Sequence, residues 1–362
     1  TIVGELYPEG GSRRDAGFSI FYMGINVGAF IGPLICGYLG ESVNWHYGFG
    51  AAGVGMVAGL IQYRLTQKNL GQAGALPHTE DGREQTQKLW RGVGLVVTSV
   101  VVFIGLVWAG IIAINPIALA GGATGLIVGV AAVYFVYIFL RGRLQGFEKK
   151  QVMALGLLFV FSAIFWSGFE QAGSSLNLFA ERYTDRVIFG WEAPASWLQS
   201  INPIFIILLA PAFAAVWVQL GRRNLDPSIP VKFALGLIFL GIGFGVMAIA
   251  SIYAAQEQLV LPTWLVLTYL FHTMGELCLS PVGLSAVTKL SPRKLLGQMM
   301  GLWFISVALG NLFAGLAAGR FDDDSLADFP MLFGSVFGIT VGGGFILLVL
   351  TPFLKRLIGQ YR

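Results

Sequence analysis

Long apolar runs alternate with short polar segments along almost the whole chain. Ten runs are long enough to cross a bilayer, at roughly 16–40, 46–63, 92–113, 117–140, 152–180, 197–218, 233–254, 262–288, 296–319 and 330–353. A helix needs about 20 residues to span the hydrocarbon core, and backbone groups in lipid must find partners within their own segment. The pattern therefore predicts an all-α, polytopic membrane protein with about ten transmembrane helices.

Composition and charge agree with this prediction and orient the chain. Hydrophobic residues make up 56% of the 362 positions and charged residues only 12%, which excludes an ordinary soluble domain. Of the 23 Lys and Arg residues, 20 lie in alternate polar segments that share one side of the membrane. The positive-inside rule then predicts an integral protein of the cytoplasmic (inner) membrane, with the basic loops and the C-terminus in the cytoplasm. The net charge of +4 reflects this orientation, so nucleic-acid binding is not expected.

Two acidic residues, Glu170 and Glu276, lie within the predicted spans, and no Lys or Arg accompanies them there. A charge at membrane depth costs about 2.5–3.5 kcal/mol on insertion scales, so a buried acid marks a functional site by default. Such carboxylates are suited to carrying protons or to anchoring a substrate ammonium group. At 100° per residue, Trp166, Glu170, Ser174 and Asn177 share one face of a continuous helix.

Other polar residues within the spans add to this candidate site. The amides of Asn26 and Asn202 face either a polar cavity or a hydrogen-bonding partner on another helix. Pro203 and Pro211 favour a kink in the span that contains Asn202. A second face collects Tyr269, His272, Glu276 and Ser280, and Pro281 and Gly283 are expected to break or bend that helix just beyond. His272 is either a hydrogen-bonded structural residue or part of a proton path, and Trp303 lines a pocket or packs in the core.

Several classes of protein are disfavoured. One His, one Glu and one Cys in the span around Glu276 are too few ligands for a metal site, and Cys36 and Cys278 lie in different spans. The chain contains no HExxH or GxSxG motif, so neither an enzyme, a catalytic residue nor a cofactor is expected. Two lone acids on different helices suit a midplane cavity that opens to each side in turn.

Three motifs in the chain resemble those of the proton-dependent oligopeptide transporter family, bacterial type, of the major facilitator superfamily. They are Phe21-Tyr22-x-x-Ile25-Asn26-x-Gly28, Phe169-Glu170-Gln171 with Ser174-Ser175, and Gly275-Glu276-Leu277-x-x-Ser280-Pro281-x-Gly283. The motifs occur in the family's order and extend over nearly the whole chain. The resemblance implies two six-helix bundles with an additional helix pair between them.

The resemblance also implies a role for each motif residue. Glu170 resembles the carboxylate that binds and couples the proton, and Glu276 the residue that meets the amino terminus of the peptide. Asn26 and Asn202 resemble the amides that bind the peptide backbone, and Trp166 and Trp303 the walls of the side-chain pocket. Possible accessory residues are Tyr22, Gln171, Ser174, His272 and Ser280. The expected partners are small peptides, protons and the lipid bilayer.

The resemblance predicts the domain organisation as well. Residues 1–65 correspond to the last part of an N-terminal bundle, 66–91 to a cytoplasmic linker, 92–150 to an accessory transmembrane hairpin, and 151–362 to a C-terminal six-helix bundle. The family's first four helices, and the cationic groups that bind the peptide carboxylate, have no counterpart here. We therefore expect the natural protein to be longer, with about fourteen spans.

Three functions remain open from the residues. The leading hypothesis is secondary active import of di- and tripeptides, coupled to inward proton movement by alternating access. A proton-coupled antiporter for organic cations or drugs is an alternative, because two buried acids suit an amine equally well. A non-transporting membrane receptor or assembly subunit is the third.

Overall fold

The computed structural model describes residues 6, 11–71, 73, 82–113, 115–256, 259–319 and 328–359. Within them the chain is almost entirely helical. The helices are α1 Gly11–Gly32, which continues as a π-helix over Pro33–Val43, α2 Trp45–Thr66, α3 Gly82–Trp108, α4 Pro116–Arg141, α5 Gly146–Phe169, α6 Ser175–Tyr183, α7 Ile201–Arg222, α8 Ile229–Ala254, α9 Thr263–Leu290, α10 Leu296–Ala318 and α11 Phe329–Ile358.

The connections are short and partly helical. Short 3₁₀ helices cover Gln67–Leu70, Glu170–Gly173, Ala195–Ser200 and Arg293–Leu295. A small antiparallel hairpin pairs β1 (Val187–Ile188) with β2 (Trp191–Glu192), and its turn uses Gly190 at φ 81°. Glycine adopts this left-handed conformation without the steric cost that a side chain would bring.

The helices begin where the sequence supplies suitable first-turn residues. α5 starts with a capping box, in which the Gln145 backbone N–H donates to the Glu148 carboxylate at 2.7 Å. Proline occupies the first turn of both α8 and α11, where its missing N–H costs nothing. Their apolar interiors then run for 26 and 30 residues, enough to cross a bilayer.

Nine helical segments among the described residues are long and apolar enough to span a membrane. They confirm the predicted membrane-spanning fold. The expected span at 46–63 also forms a helix, α2, whose 22 residues give it the required length. It is not one of the nine because its mean hydropathy is lower, with polar residues such as His46, Gln62 and Arg64 near its ends.

Contacts divide the chain into two compact units, one comprising residues 1–22 and 55–120 and the other residues 23–54 and 121–362. The second unit contains the main apolar core, where α8 packs along both α9 and α11, and α5 packs against α10. Glycines allow the closest approach, since a Cβ added to Gly275 would lie 2.7 Å from the Gly236 carbonyl oxygen. The domain boundaries stay predictions, and part of the expected linker at 66–91 lies outside the described residues.

One local expectation is wrong, and of the break or bend expected near Pro281 the structure shows no break. The span around Glu170 is not a continuous helix, because α5 ends at Phe169, a 3₁₀ turn covers Glu170–Gly173, and α6 begins at Ser175. A glycine beside a serine is a common cause of such an interruption, and here Gly173 and Ser174 follow one another. In contrast, α9 passes through Pro281 and Gly283 without a break and ends at Leu290, because neighbouring helices support it on several sides. α7 likewise continues through Pro211.

Candidate functional site

Glu170 lies at the interruption between α5 and α6. Its backbone N–H bonds back to the carbonyl oxygens of Trp166 and Gly168, which closes the last turn of α5. The interruption removes the regular 100° spacing after Phe169, so Ser174 and Asn177 do not continue the helical face of Trp166. A break at membrane depth frees backbone groups, and such breaks are tolerated where protein or a cavity surrounds them.

A hydrogen-bond network joins the start of α7 to the middle of α9. The Asn202 side-chain nitrogen donates to the Thr273 hydroxyl oxygen at 2.9 Å and to the Glu276 carboxylate at 3.2 Å. The Thr273 hydroxyl itself donates to the Tyr269 carbonyl oxygen at 2.7 Å, so its oxygen is available as an acceptor. These two acceptors identify the side-chain atom of Asn202 that faces α9 as the nitrogen. Asn202 is half-buried, and its amide oxygen, which accepts no hydrogen bond from the described residues, can accept one from another molecule.

The second carboxylate has a polar neighbour on α10. The Asn311 side chain lies near Glu170, and its Nδ2 donates to the Val307 carbonyl oxygen one turn earlier at 3.2 Å. The carboxylates of Glu170 and Glu276 also lie close enough to repel each other electrostatically. The structure therefore brings the two acids, which are 106 positions apart in sequence, into one half-buried polar region. In this region α5, α9 and α10 meet.

No basic side chain neutralises either acid within the described part of the chain. The ion pairs there join Arg186 to Glu192 at 2.7 Å and Lys232 to Asp226 at 2.8 Å. Neither pair involves Glu170 or Glu276. Two neighbouring acids without a cation favour the uptake of a proton or of a positively charged substrate group.

Close packing of α5 on α10 sets the position of Trp166 and Glu170. A Cβ added to Gly310 would collide with the backbone and Cβ of Trp166, so only glycine allows this approach. One turn earlier, the Ser162 and Ser306 hydroxyls hydrogen-bond at 2.8 Å across the same interface. The half-buried Trp166 indole packs edge-on against Phe165 and Phe169, and its Nε1 has no hydrogen-bond partner among the described residues.

The remaining predicted residues differ in their surroundings. Gln171 is buried and accepts a hydrogen bond from Ser175, whereas the buried Ser174 hydroxyl has no partner among the described residues. Trp303 is buried against Phe233, and its ring fills the space beside Gly283. Ser280 is half-buried on α9.

His272 occupies a narrow space between α8 and α9. Its ring contacts Phe244 and Phe169, lies near the backbone of Leu240, and leaves no room for a Cβ at Gly243. Nε2 has no partner among the described residues. The aromatic surroundings are those of a packed core residue.

The two predicted residues on α1 lie in different units. Asn26 is buried in the second unit, and Tyr22 lies one turn earlier, in the first unit. Their inclusion in the site stays a prediction.

Two residues near the acids, Asn311 and Thr273, were not predicted from the sequence. Asn311 is an amide within an apolar run, which is the same signal that singled out Asn26 and Asn202. Thr273 carries no such signal, because threonine side chains commonly bond back to the carbonyl oxygen one turn earlier on their own helix, as Thr268 and Thr351 do here.

Comparison with known proteins identifies related sequences over the whole chain. The sequence pattern described as POT family matches residues 1–332. A protein named peptide transporter YePEPT, from Yersinia enterocolitica, is 40% identical over 99% of this chain and 72% of its own length. A protein named di-/tripeptide transporter, from Lactococcus lactis, is 33% identical over 100% of this chain and 73% of its own length.

Solved structures agree with the sequence matches. A crystal structure of peptide transporter POT in complex with sulfate superposes with a TM-score of 0.84 at 41% identity, over 98% of this chain and 71% of the other. A POT family transporter in complex with a thioalcohol-conjugated peptide gives a TM-score of 0.84 at 30% identity, over 98% and 72%. Both similarities extend over the candidate site as well as the helical core.

Proposed function

Since the chain belongs to the POT family, we propose that the protein imports di- and tripeptides together with protons by alternating access. The match to a di-/tripeptide transporter supports the substrate class. The observation that carries the proposal is the pair of unneutralised acids, Glu170 and Glu276, on different helices of one polar region. Such a site can hold a proton on one carboxylate and a substrate ammonium group on the other, so that both cross the membrane together.

Glu170 is the proposed proton-coupling residue. It lies at a helix interruption, where a small backbone rearrangement moves the carboxylate, and Asn311 is a polar neighbour on α10. The charge of Glu276 nearby favours protonation of one acid of the pair. A proton on Glu170 removes the repulsion and leaves Glu276 charged for a peptide ammonium group, which links the proton to the substrate.

Glu276 and Asn202 are the proposed peptide-binding residues. Glu276 accepts one hydrogen bond from Asn202 and has remaining lone pairs for a charged amino terminus. The free amide oxygen of Asn202 is placed to accept a peptide N–H. We assign Asn26 to the same role, Trp166 and Trp303 to the side-chain pocket, and Tyr22, Gln171, Ser174, His272 and Ser280 to its surroundings.

We further propose an inner-membrane location with cytoplasmic basic loops. This topology is tested by labelling intact cells with a membrane-impermeant maleimide, in a background with Cys36 and Cys278 replaced by serine. Phe189→Cys, at the fully exposed tip of the β-hairpin, is expected to react, and Lys149→Cys to react only after permeabilisation. Labelling of Lys149→Cys in intact cells would contradict the orientation.

The main test is uptake of a labelled dipeptide into liposomes containing the protein. An inward proton gradient is expected to drive accumulation, and Glu170→Gln to abolish it. Glu181→Gln, which removes an exposed acid outside the site, is the matched control and is expected to transport normally. Undiminished gradient-driven uptake by Glu170→Gln would contradict the coupling role.

The same assay separates the alternative functions. Accumulation of an organic cation driven only by an outward proton gradient would identify an antiporter. Peptide binding without flux in either gradient would identify a receptor or an assembly subunit. As a proposed transporter, the protein moves its substrate without changing it chemically, so no residue has a catalytic role.

A further inference from the structure

A basic cavity lies at the end of the second unit where two loops meet, away from the Glu170 and Glu276 region. Its volume is about 640 Å³, and its lining comes from the connection between α4 and α5 and from the connection between α9 and α10. Lys294 Nζ donates to the Arg143 carbonyl oxygen at 3.1 Å, which joins the two loops. The cavity is a joint product of both connections, so neither loop forms it alone.

The cavity carries an excess of positive charge. Arg143, Lys289, Arg293 and Lys294 line it, together with the single acid Glu148. The Glu148 carboxylate is already engaged by the Gln145 N–H in the capping box of α5. None of the four basic residues belongs to either ion pair found in the described part of the chain. Uncompensated cations crowded around one cavity favour an anionic ligand.

A buried polar group points to the same chemistry. The hydroxyl of Ser291, which lines the cavity, is buried and has no hydrogen-bond partner among the described residues. A buried unsatisfied hydroxyl is uncommon in a native protein and calls for a partner. A phosphate oxygen would supply the acceptor while its charge pairs with the surrounding Lys and Arg side chains.

An apolar groove follows the same helices on the side of the membrane interior. Its volume is about 780 Å³, and it runs along α4 from Gly125 to Tyr137 and reaches Gln298 near the start of α10. A Cβ added to Gly125 or Gly129 would meet no atom within 4 Å, so the glycines leave the groove open. Tyr137 precedes the end of α4 at Arg141 by four residues, a rise of about 6 Å, and Arg143 of the cavity follows two residues later.

The basic cavity matches the anionic headgroup of a phospholipid, and the apolar groove matches its acyl chain. Phe147, which lines the cavity, is 59% exposed and would enter the interfacial layer of the membrane. Basic pockets between transmembrane helices commonly bind lipid headgroups, and each basic residue near the surface contributes about fivefold to the binding of an anionic lipid. A ligand with a phosphate group and a hydrocarbon tail therefore matches both surfaces.

We propose that this pair of surfaces binds an anionic phospholipid, with the phosphate group in the basic cavity and an acyl chain in the groove. The site is separate from the transport site, and its occupancy would tie the α4–α5 connection to the α9–α10 connection. The proposal does not depend on the transported substrate.

The test is titration of the purified protein with phosphatidylglycerol and, separately, phosphatidylcholine, with bound lipid counted by native mass spectrometry. The protein is expected to prefer phosphatidylglycerol. Lys289→Gln with Arg293→Gln is expected to lower its affinity for phosphatidylglycerol about tenfold or more. The matched control, Arg222→Gln with Arg223→Gln, removes two exposed charges at the end of α7, outside the cavity lining, and is expected to stay within about twofold.

A second arm separates a lipid from free phosphate. Gly129→Leu fills the groove and is expected to weaken phosphatidylglycerol binding while leaving the binding of inorganic phosphate unchanged. Full displacement of the lipid by millimolar inorganic phosphate, with no effect of Gly129→Leu, would mean a soluble-phosphate site and overturn the proposal. Equal losses in both charge variants, or no preference over phosphatidylcholine, would also overturn it. Every readout is binding, so failure here leaves the transport proposal unaffected.

Discussion

The Glu41 carboxylate caps the 3₁₀ turn that begins at Ala195, accepting hydrogen bonds from the backbone N–H groups of Ala195 at 2.7 Å and of Ser196 at 3.0 Å. The π-helical segment Pro33–Val43 is thereby fastened to the start of α7. Two further bonds support the contact, from the Trp197 indole to the Leu34 carbonyl oxygen and from the Ser200 hydroxyl to the Phe30 carbonyl oxygen. Alternating access in a transporter requires some contacts of this kind to open and close.

Glu41→Gln is expected to loosen this contact. The amide keeps one acceptor oxygen but loses the charge, and a charge-assisted bond contributes about 1.5–3 kcal/mol, so the opened state gains about tenfold in population. Cys36 lies half-buried in the same segment and reports on opening without an introduced label site. Its maleimide labelling rate, measured with Cys278 replaced by serine, is expected to rise about tenfold.

Glu181→Gln is the control for the Glu41 variant, since it removes an exposed acid that does not contact the π-helical segment. Its Cys36 labelling rate should equal that of the parent protein. An unchanged rate in Glu41→Gln would show that the cap does not limit opening.

Asn202→Ala is expected to raise the KM for a dipeptide about tenfold, with a smaller effect on kcat, because the substrate loses one acceptor worth about 1.4 kcal/mol. Thr273→Val removes only the hydroxyl that orients the amide and should raise KM about threefold. The double variant is expected to be no worse than Asn202→Ala alone, since Thr273 acts through Asn202. Fully additive effects, measured as uptake kinetics in liposomes, would contradict the network.

Asn311→Leu is expected to reduce proton-driven uptake about tenfold, because the Glu170 carboxylate loses a polar neighbour that stabilises its charged form. Counterflow exchange of peptide, which needs no net proton movement, should change less than about twofold. The combination with Glu170→Gln is expected to match Glu170→Gln alone. Equal losses in driven uptake and exchange would instead indicate a general folding or binding defect.

Gly310→Ala is expected to destabilise the protein by about 1–3 kcal/mol, because the added methyl group would collide with Trp166 and separate α10 from α5. Gly315→Ala lies on the same helix where no atom comes within 4 Å, so it should be neutral. Thermal unfolding in detergent compares the two variants. Equal midpoints for both would contradict the close approach at Gly310.

The sequence by itself determined the membrane-spanning helical fold, because apolar length and charge alternation are properties of consecutive residues. It also identified Glu170 and Glu276, since an ionisable residue in an apolar run is visible without any tertiary contact. The three motifs were enough to indicate the family. The helix interruption at Glu170 departed from what local patterns predict, and α9 continues through Pro281 without a break.

Tertiary structure decided which groups meet. Asn202 and Glu276 are separated by 74 positions, and Glu41 and Ala195 by 154, so no local pattern could pair them. Local patterns also could not predict that position 310 must be glycine. That requirement depends on how closely α10 approaches Trp166 on α5. Hydrogen bonds and close packing between distant segments are set by the three-dimensional arrangement of the helices, whereas span length and polarity are encoded residue by residue.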